Sequence, residues 1–150
     1  MSNLLYLKPR DHGYALNYIL TDDEGCEPGQ ALDYTVNDAG QVNRVRFAGG
    51  QYTYEVEVST GDHPDRFVGI AMNTVHETGA LALDRELKVC DHGYITAYAA
   101  SEETIQPMQP IMDAANGNIT EITTADDLLY RRGRTVTRFI NGKRGTIFLN

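Results

Sequence analysis

The chain has 150 residues, enough for one ordinary domain whose core needs neither disulfides nor a metal. Hydrophobic content of 41% and charged content of 23% are those of an average globular protein, which excludes general disorder. The net charge of −8 is unevenly spread: residues 131–150 carry six cations and no acid, so residues 1–130 hold 7 cations against 21 acids.

An acidic body repels phosphate backbones, so nucleic acid is not expected as a partner, whereas the basic end suits the acidic surface of a neighbouring chain. No apolar run approaches the ~20 residues that cross a bilayer as a helix, and Met1 to Pro9 lacks the basic start and long apolar middle of a signal peptide. The expected setting is therefore cytosol-like, with no membrane partner. Cys26 and Cys90 lie far apart and in no metal-ligand spacing, so two reduced thiols are expected. The aromatics are mostly Tyr, nine against four Phe and no Trp, which suits half-buried strand faces and interfaces.

Residues 1–30 are the least regular part. Leu4, Leu5, Tyr6 and Leu7 form a small apolar cluster ended by Pro9, and Tyr14 to Leu20 is a second apolar run. Either fits a first strand, and both fit an extended arm laid on a partner. Thr21 to Gly25 and Glu27 to Gln30 read as turns.

From Ala31 the pattern is regular. Leu32, Tyr34 and Val36 alternate with polar residues, Asn37-Asp38-Ala39-Gly40 is turn chemistry, and Val45 and Phe47 alternate with Arg44 and Arg46. Tyr52, Tyr54, Val56 and Val58 form the clearest period-2 strand. Arg66 to Met72, Glu86 to Cys90 and Tyr94 to Ala100 read as three further short strands. Ser101 to Thr104 could begin one helical turn, but Pro107 and Pro110 forbid a long helix. Asn116-Gly117 predicts a hairpin into Ile119 to Thr123, and Thr135 to Ile140, Asn141-Gly142 and Gly145 to Leu149 predict a closing hairpin.

No segment carries an amphipathic pattern of ~10 or more residues, and turn signals recur about every ten residues, as in an all-β sandwich or barrel built of hairpins. The expected division is residues 1–30 as arm or first strands and residues 31–150 as a β-barrel domain. Two weak echoes suggest related halves: Leu32 to Val42 resembles Ile111 to Ile119, and Asp-His-Gly-Tyr occurs at residues 11–14 and 91–94.

The search for chemistry returns turns. His12, His63 and His92 each follow an Asp and precede Gly or Pro, where Asp bonds its own backbone. No zinc spacing, nucleophile elbow, phosphate loop or dinucleotide fingerprint occurs, and Asp22-Asp23-Glu24-Gly25 lacks the alternating ligands of a calcium loop. No catalytic set, metal or cofactor is expected. Gly69 fits a bulge or tight bend of a small barrel. Arg131-Arg132-Gly133-Arg134 reads either as a solvated loop or as an interface meeting carboxylates of another subunit.

Leu32 to Val42, Phe67 to Ala71, Glu77-Thr78-Gly79, Leu87 to Cys90, Gly93 to Ala97 and Ile111 to Ile119 together resemble bacteriophage capsid decoration, or cement, proteins with small SH3-like β-barrels. The resemblance spans roughly residues 30–122; the longer N-terminal region and the Arg-rich end depart from it. It implies a non-enzymatic virion protein, made in the host cytoplasm, that binds the outer surface of an assembled capsid and bridges major capsid subunits. It also implies self-association, with a trimer favoured. The interface residues it suggests are Leu4, Leu5, Tyr6 and Leu7 in the arm, with Arg131, Arg132, Arg134, Arg138, Lys143 and Arg144. A tail or baseplate protein, or a small all-β ligand-binding protein or enzyme, is the alternative.

Overall fold

A computed structural model describes residues 15–21, 24–46, 52–76 and 85–150. Eleven strands appear among them: β1 (Ala15–Leu20), β2 (Ala31–Tyr34), β3 (Arg44–Arg46), β4 (Tyr52–Val58), β5 (Phe67–Ala71), β6 (Glu86–Cys90), β7 (Gly93–Tyr98), β8 (Pro110–Asp113), β9 (Ile119–Glu121), β10 (Gly133–Thr135) and β11 (Arg144–Leu149). The helical elements among the described residues are 3-10 turns, at Pro64–Arg66, Ala115–Gly117 and Asp126–Tyr130. The protein is all-β, as its turn spacing predicts.

The first half is a closed barrel. Its strands run β1-β6-β5-β2-β4, and β4 returns to β1 in parallel through Ile19↔Glu55 and Leu20↔Val56. The second half runs β7-β11-β10-β8-β9, and a parallel bridge, Ala99↔Ile119, links the end of β7 back to β9. With the strands of each half counted first to fifth, leaving out β3, both orders read first, fifth, fourth, second, third. Both halves are antiparallel except at the parallel closure. Gly69 faces Leu32, and Gly133 faces Ile111, so the sequence echo that aligns Leu32 with Ile111 marks equivalent positions.

Packing explains the sequence pattern of the central strands. Leu32, Val68, Ala71, Leu87 and Val89 join Leu20 and Val56 inside the first barrel. Ala31, Ile70 and Cys90 face the other way, into the second core around Ile105, Ile111, Phe139, Ile147 and Leu149. β2 and β5 are therefore buried on both faces, as is the end of β6 at Val89 and Cys90, and such strands read as near-continuous apolar runs instead of alternating ones. That is why Phe67 to Ala71 carries no polar residue.

Ala15–Leu20 is a strand of the first barrel: it pairs with β6 over five residues, and Tyr18, Ile19 and Leu20 are buried. Its end is held by Arg85, itself 2% exposed, which donates to the backbone carbonyls of Leu20, Thr21, Glu24 and His76. Both cysteines are buried, Cys26 in the first core and Cys90 in the second.

Two local expectations are corrected. Ser101 to Thr104 is a turn with no helix: Glu102 takes φ 61°, and the Glu103 carboxylate accepts from Thr120 Oγ1 at 2.7 Å and the Glu121 amide at 2.9 Å. The closing hairpin pairs β11 with Gly133–Thr135, and Phe139 instead bridges Ile105 because its ring fills the second core.

Candidate interaction surface

The alternation of β7 and β11 sorts their side chains. Ala97, Ile147 and Leu149 are buried in the second core, with Ile95 packed against it. Tyr94, Thr96 and Tyr98 on β7, and Arg144, Thr146 and Phe148 on β11, take the opposite parity and form the outer face. Antiparallel register sets them in rows, Arg134–Phe148–Tyr94, then Thr146–Thr96, then Arg144–Tyr98.

The first row is in direct contact. The Tyr94 and Phe148 rings meet edge-on with centroids 4.8 Å apart, and the Arg134 guanidinium lies 4.7 Å from the Phe148 centroid. Stacking on the ring fixes the guanidinium, whose Nε is buried without a hydrogen-bond partner among the described residues. Tyr94 is 50% exposed, so this row is open to a partner. None of β7, β10 and β11 contains an acidic residue, so nothing on these strands neutralises the two arginines.

At the Arg144–Tyr98 row the face opens into a groove of about 490 Å³ between the barrels, with Glu27 and Met72 on its far wall. Gly29 lines the same groove, and a Cβ there would lie 2.7 Å from the Tyr98 ring.

Charge is polarised between the halves. Residues 93–150 contain six cations and six acids, leaving seven cations and 15 acids in residues 1–92, so the first half carries the whole net charge of −8. Within the second half the cations all lie between Arg131 and Arg144, and the acids between Glu102 and Asp127.

Of the residues singled out by sequence, Arg134 and Arg144 lie on this face. Arg131, Arg138 and Lys143 are exposed on the flanking connections, and Arg131 Nε donates to the Gly133 carbonyl at 3.3 Å. Arg132 turns inward: its guanidinium lies 5.0 Å from the Phe67 centroid, and its Nε lies 3.9 Å from Asp113 Oδ1. Leu4, Leu5, Tyr6 and Leu7 lie outside the described residues. Sequence reasoning missed Tyr94, Tyr98 and Phe148. Their signal is present in the strict alternation of Tyr94-Ile95-Thr96-Ala97-Tyr98, whose outward residues are aromatic as well as polar.

His92 Nδ1 lies 3.0 Å from Asp91 Oδ1 in the turn between β6 and β7. Burial, the largest cause, pushes the Cys90 thiol up to about 11 and the Cys26 thiol up to about 12, so neither is a ready thiolate. Among the described residues no three His, Cys, Asp or Glu side chains converge to hold a metal ion.

No protein-family model matches the sequence, and no curated protein matches it. Among solved structures, the fold is similar to that of the head fiber gp8.5 N base in bacteriophage phi29, with a TM-score of 0.57 and 10% sequence identity, covering 91% of this chain and 93% of that one. At that identity the likeness is one of fold, extending through both barrels.

Proposed function

We propose that this chain is a non-enzymatic structural component of a phage virion that docks on the outer surface of the assembled capsid and bridges major capsid subunits. The observation that carries this reading is the likeness to a head fiber base along nearly the whole of both chains. It is supported by an exposed basic and aromatic sheet face, of the kind that meets acidic protein surfaces. The chain is made in the host cytoplasm and acts in the virion, with no nucleic acid, membrane or cofactor in its role.

Binding that favours the assembled lattice over free subunits stabilises the lattice by mass action, and many copies multiply the effect. Self-association, with a trimer favoured, brings several copies of the face to neighbouring capsid subunits. Arg134 and Arg144 meet carboxylates of the capsid, with Arg131, Arg138 and Lys143 around them. The name of the similar structure favours a second reading within the same class, in which the chain is the base of a projecting head fiber.

The test uses particles lacking this protein. Purified chain added back binds them in a saturable, stoichiometric way and raises their temperature of DNA release; the double variant Arg134→Glu with Arg144→Glu binds at least about tenfold more weakly. Equal binding to free capsid protein and to particles, or no change in heat resistance, contradicts the reading.

A further inference from the structure

Asp33 on β2 and Asp113 at the end of β8 come together where the two barrels touch. Each residue is 2% exposed, and their carboxyls are within hydrogen-bonding reach of one another. Ser59 Oγ, just beyond β4, donates to Asp113 Oδ2 at 2.8 Å. The Oδ1 atoms of both carboxyls lack a hydrogen-bond donor, although Arg132 Nε stands 3.9 Å from that of Asp113. Two adjoining carboxylates cut off from water cannot both be ionised cheaply, whereas one proton between them supplies the missing donor.

With that proton on Asp33, Asp113 and Arg132 form a neutral ion pair. Without it, a second negative charge is enclosed at the junction, and Glu57, opposite Asp33 on β4, adds to the repulsion. Glu57 faces the pair from β4, and Arg132 faces it from the start of the basic segment. Hydrogen bonds that cross between the barrels lie beside it: the Gly117 amide donates to the Ser59 carbonyl at 2.9 Å, and Gln30 Nε2 donates to the Asn116 carbonyl at 3.1 Å.

We propose that Asp33 and Asp113 form a pH-responsive latch between the two barrels, closed by a shared proton and weakened when that proton is lost. Burial first, and the Asp113 charge second, raise the Asp33 pKa from 3.8 to about 7, against the lowering effect of Ser59. The sign follows from proton binding. An unfolded or undocked Asp33 releases its proton near its ordinary pKa, while the docked one keeps it, so the contact is strongest below about pH 4, weakens as pH rises and levels off above about pH 7. The latch belongs to the fold and is independent of the role proposed above.

Amide hydrogen exchange at Gly117 reads the latch in the intact chain, as a protection factor corrected for intrinsic rate. In the wild type, protection at Gly117 falls about tenfold or more between pH 5 and pH 8, since each unit of pKa shift is worth up to about tenfold. Amides inside β11 hold theirs. In Asp33→Asn, whose side chain is neutral at every pH and still donates to Asp113, protection at Gly117 is flat over this window. Should that variant fail to fold, the Asp33 carboxyl carbon of the wild type, followed by NMR, titrates well above the usual carboxylate range. Constant wild-type protection at Gly117 from pH 5 to pH 8, or an Asp33 carboxyl that titrates near pH 4, overturns the proposal.

Discussion

Three glycines separate the two reasons for which a chain uses glycine, and substituting each by alanine tests the two-barrel architecture. Gly40 has φ +79° with nothing within 4 Å of where a Cβ would stand, so Gly40→Ala adds only backbone strain, about 1 kcal/mol. Gly69 requires no left-handed backbone, but its Cβ would stand 2.3 Å from the carbonyl oxygen of Cys90, where ordinary contact begins at 3.4 Å. β5 and β6 must therefore separate at a point where both their faces are buried, an overpacking that costs about 3 kcal/mol. Gly133, the equivalent position in the second barrel, combines both: its Cβ would lie 1.9 Å from the Phe148 carbonyl oxygen, and its φ is +154°. Gly133→Ala then costs about 4 kcal/mol or more, a large part of the 5–15 kcal/mol typical of a domain. Urea unfolding at constant m-value reads the series. A Gly69→Ala cost no greater than that of Gly40→Ala, or a Gly133→Ala cost below that of Gly69→Ala, refutes the close strand approach on which both barrels rest.

Arg85→Met leaves the carbonyls of Leu20, Thr21, Glu24 and His76 without their donor, and thermal melting reads a loss of about 3 kcal/mol; a loss under about 1 kcal/mol means that water replaces the guanidinium. Cys26 and Cys90 resist a thiol-alkylating reagent in the native protein at pH 8, and both react in denaturant; rapid native labelling contradicts their burial. Phe139→Ala empties the centre of the second core and costs about 3–5 kcal/mol by urea unfolding, and a cost under 1 kcal/mol contradicts its bridging position. Tyr94→Ala removes the edge contact with Phe148 at an exposed site, so stability changes by no more than about 1 kcal/mol while affinity for particles falls.

Much of the architecture is legible in the residues. Period-2 alternation gives Tyr52–Val58 directly, and Asn37 to Gly40 and Asn116-Gly117 locate turns that the structure keeps: Asn37 Oδ1 accepts from the amides of Ala39 and Gln41, and Gly40 and Gly117 both take positive φ. The pairing of Leu32 with Gly69 and of Ile111 with Gly133 gives physical content to a faint repeat. What sequence could not supply is long-range. Residues 15–20 read equally as an arm or a strand, because only the pairing with β6 and the parallel contact with β4 decide. Tyr52 and Tyr54 share the apolar parity of Val56 yet are exposed, since that end of the strand runs beyond the barrel to pair with β3. Arg132 is indistinguishable in sequence from its basic neighbours, and only the fold places Phe67 and Asp113 beside it. The partnership of Asp33 and Asp113, 80 positions apart, leaves no local signal at all.

The central claim is a place on the phage head. Electron microscopy of virions carrying a tagged copy of the chain tests it most directly: the account predicts label distributed over the outer capsid surface at positions shared by neighbouring capsid subunits. Label confined to the tail or baseplate, or virions that contain none of the chain, contradicts it.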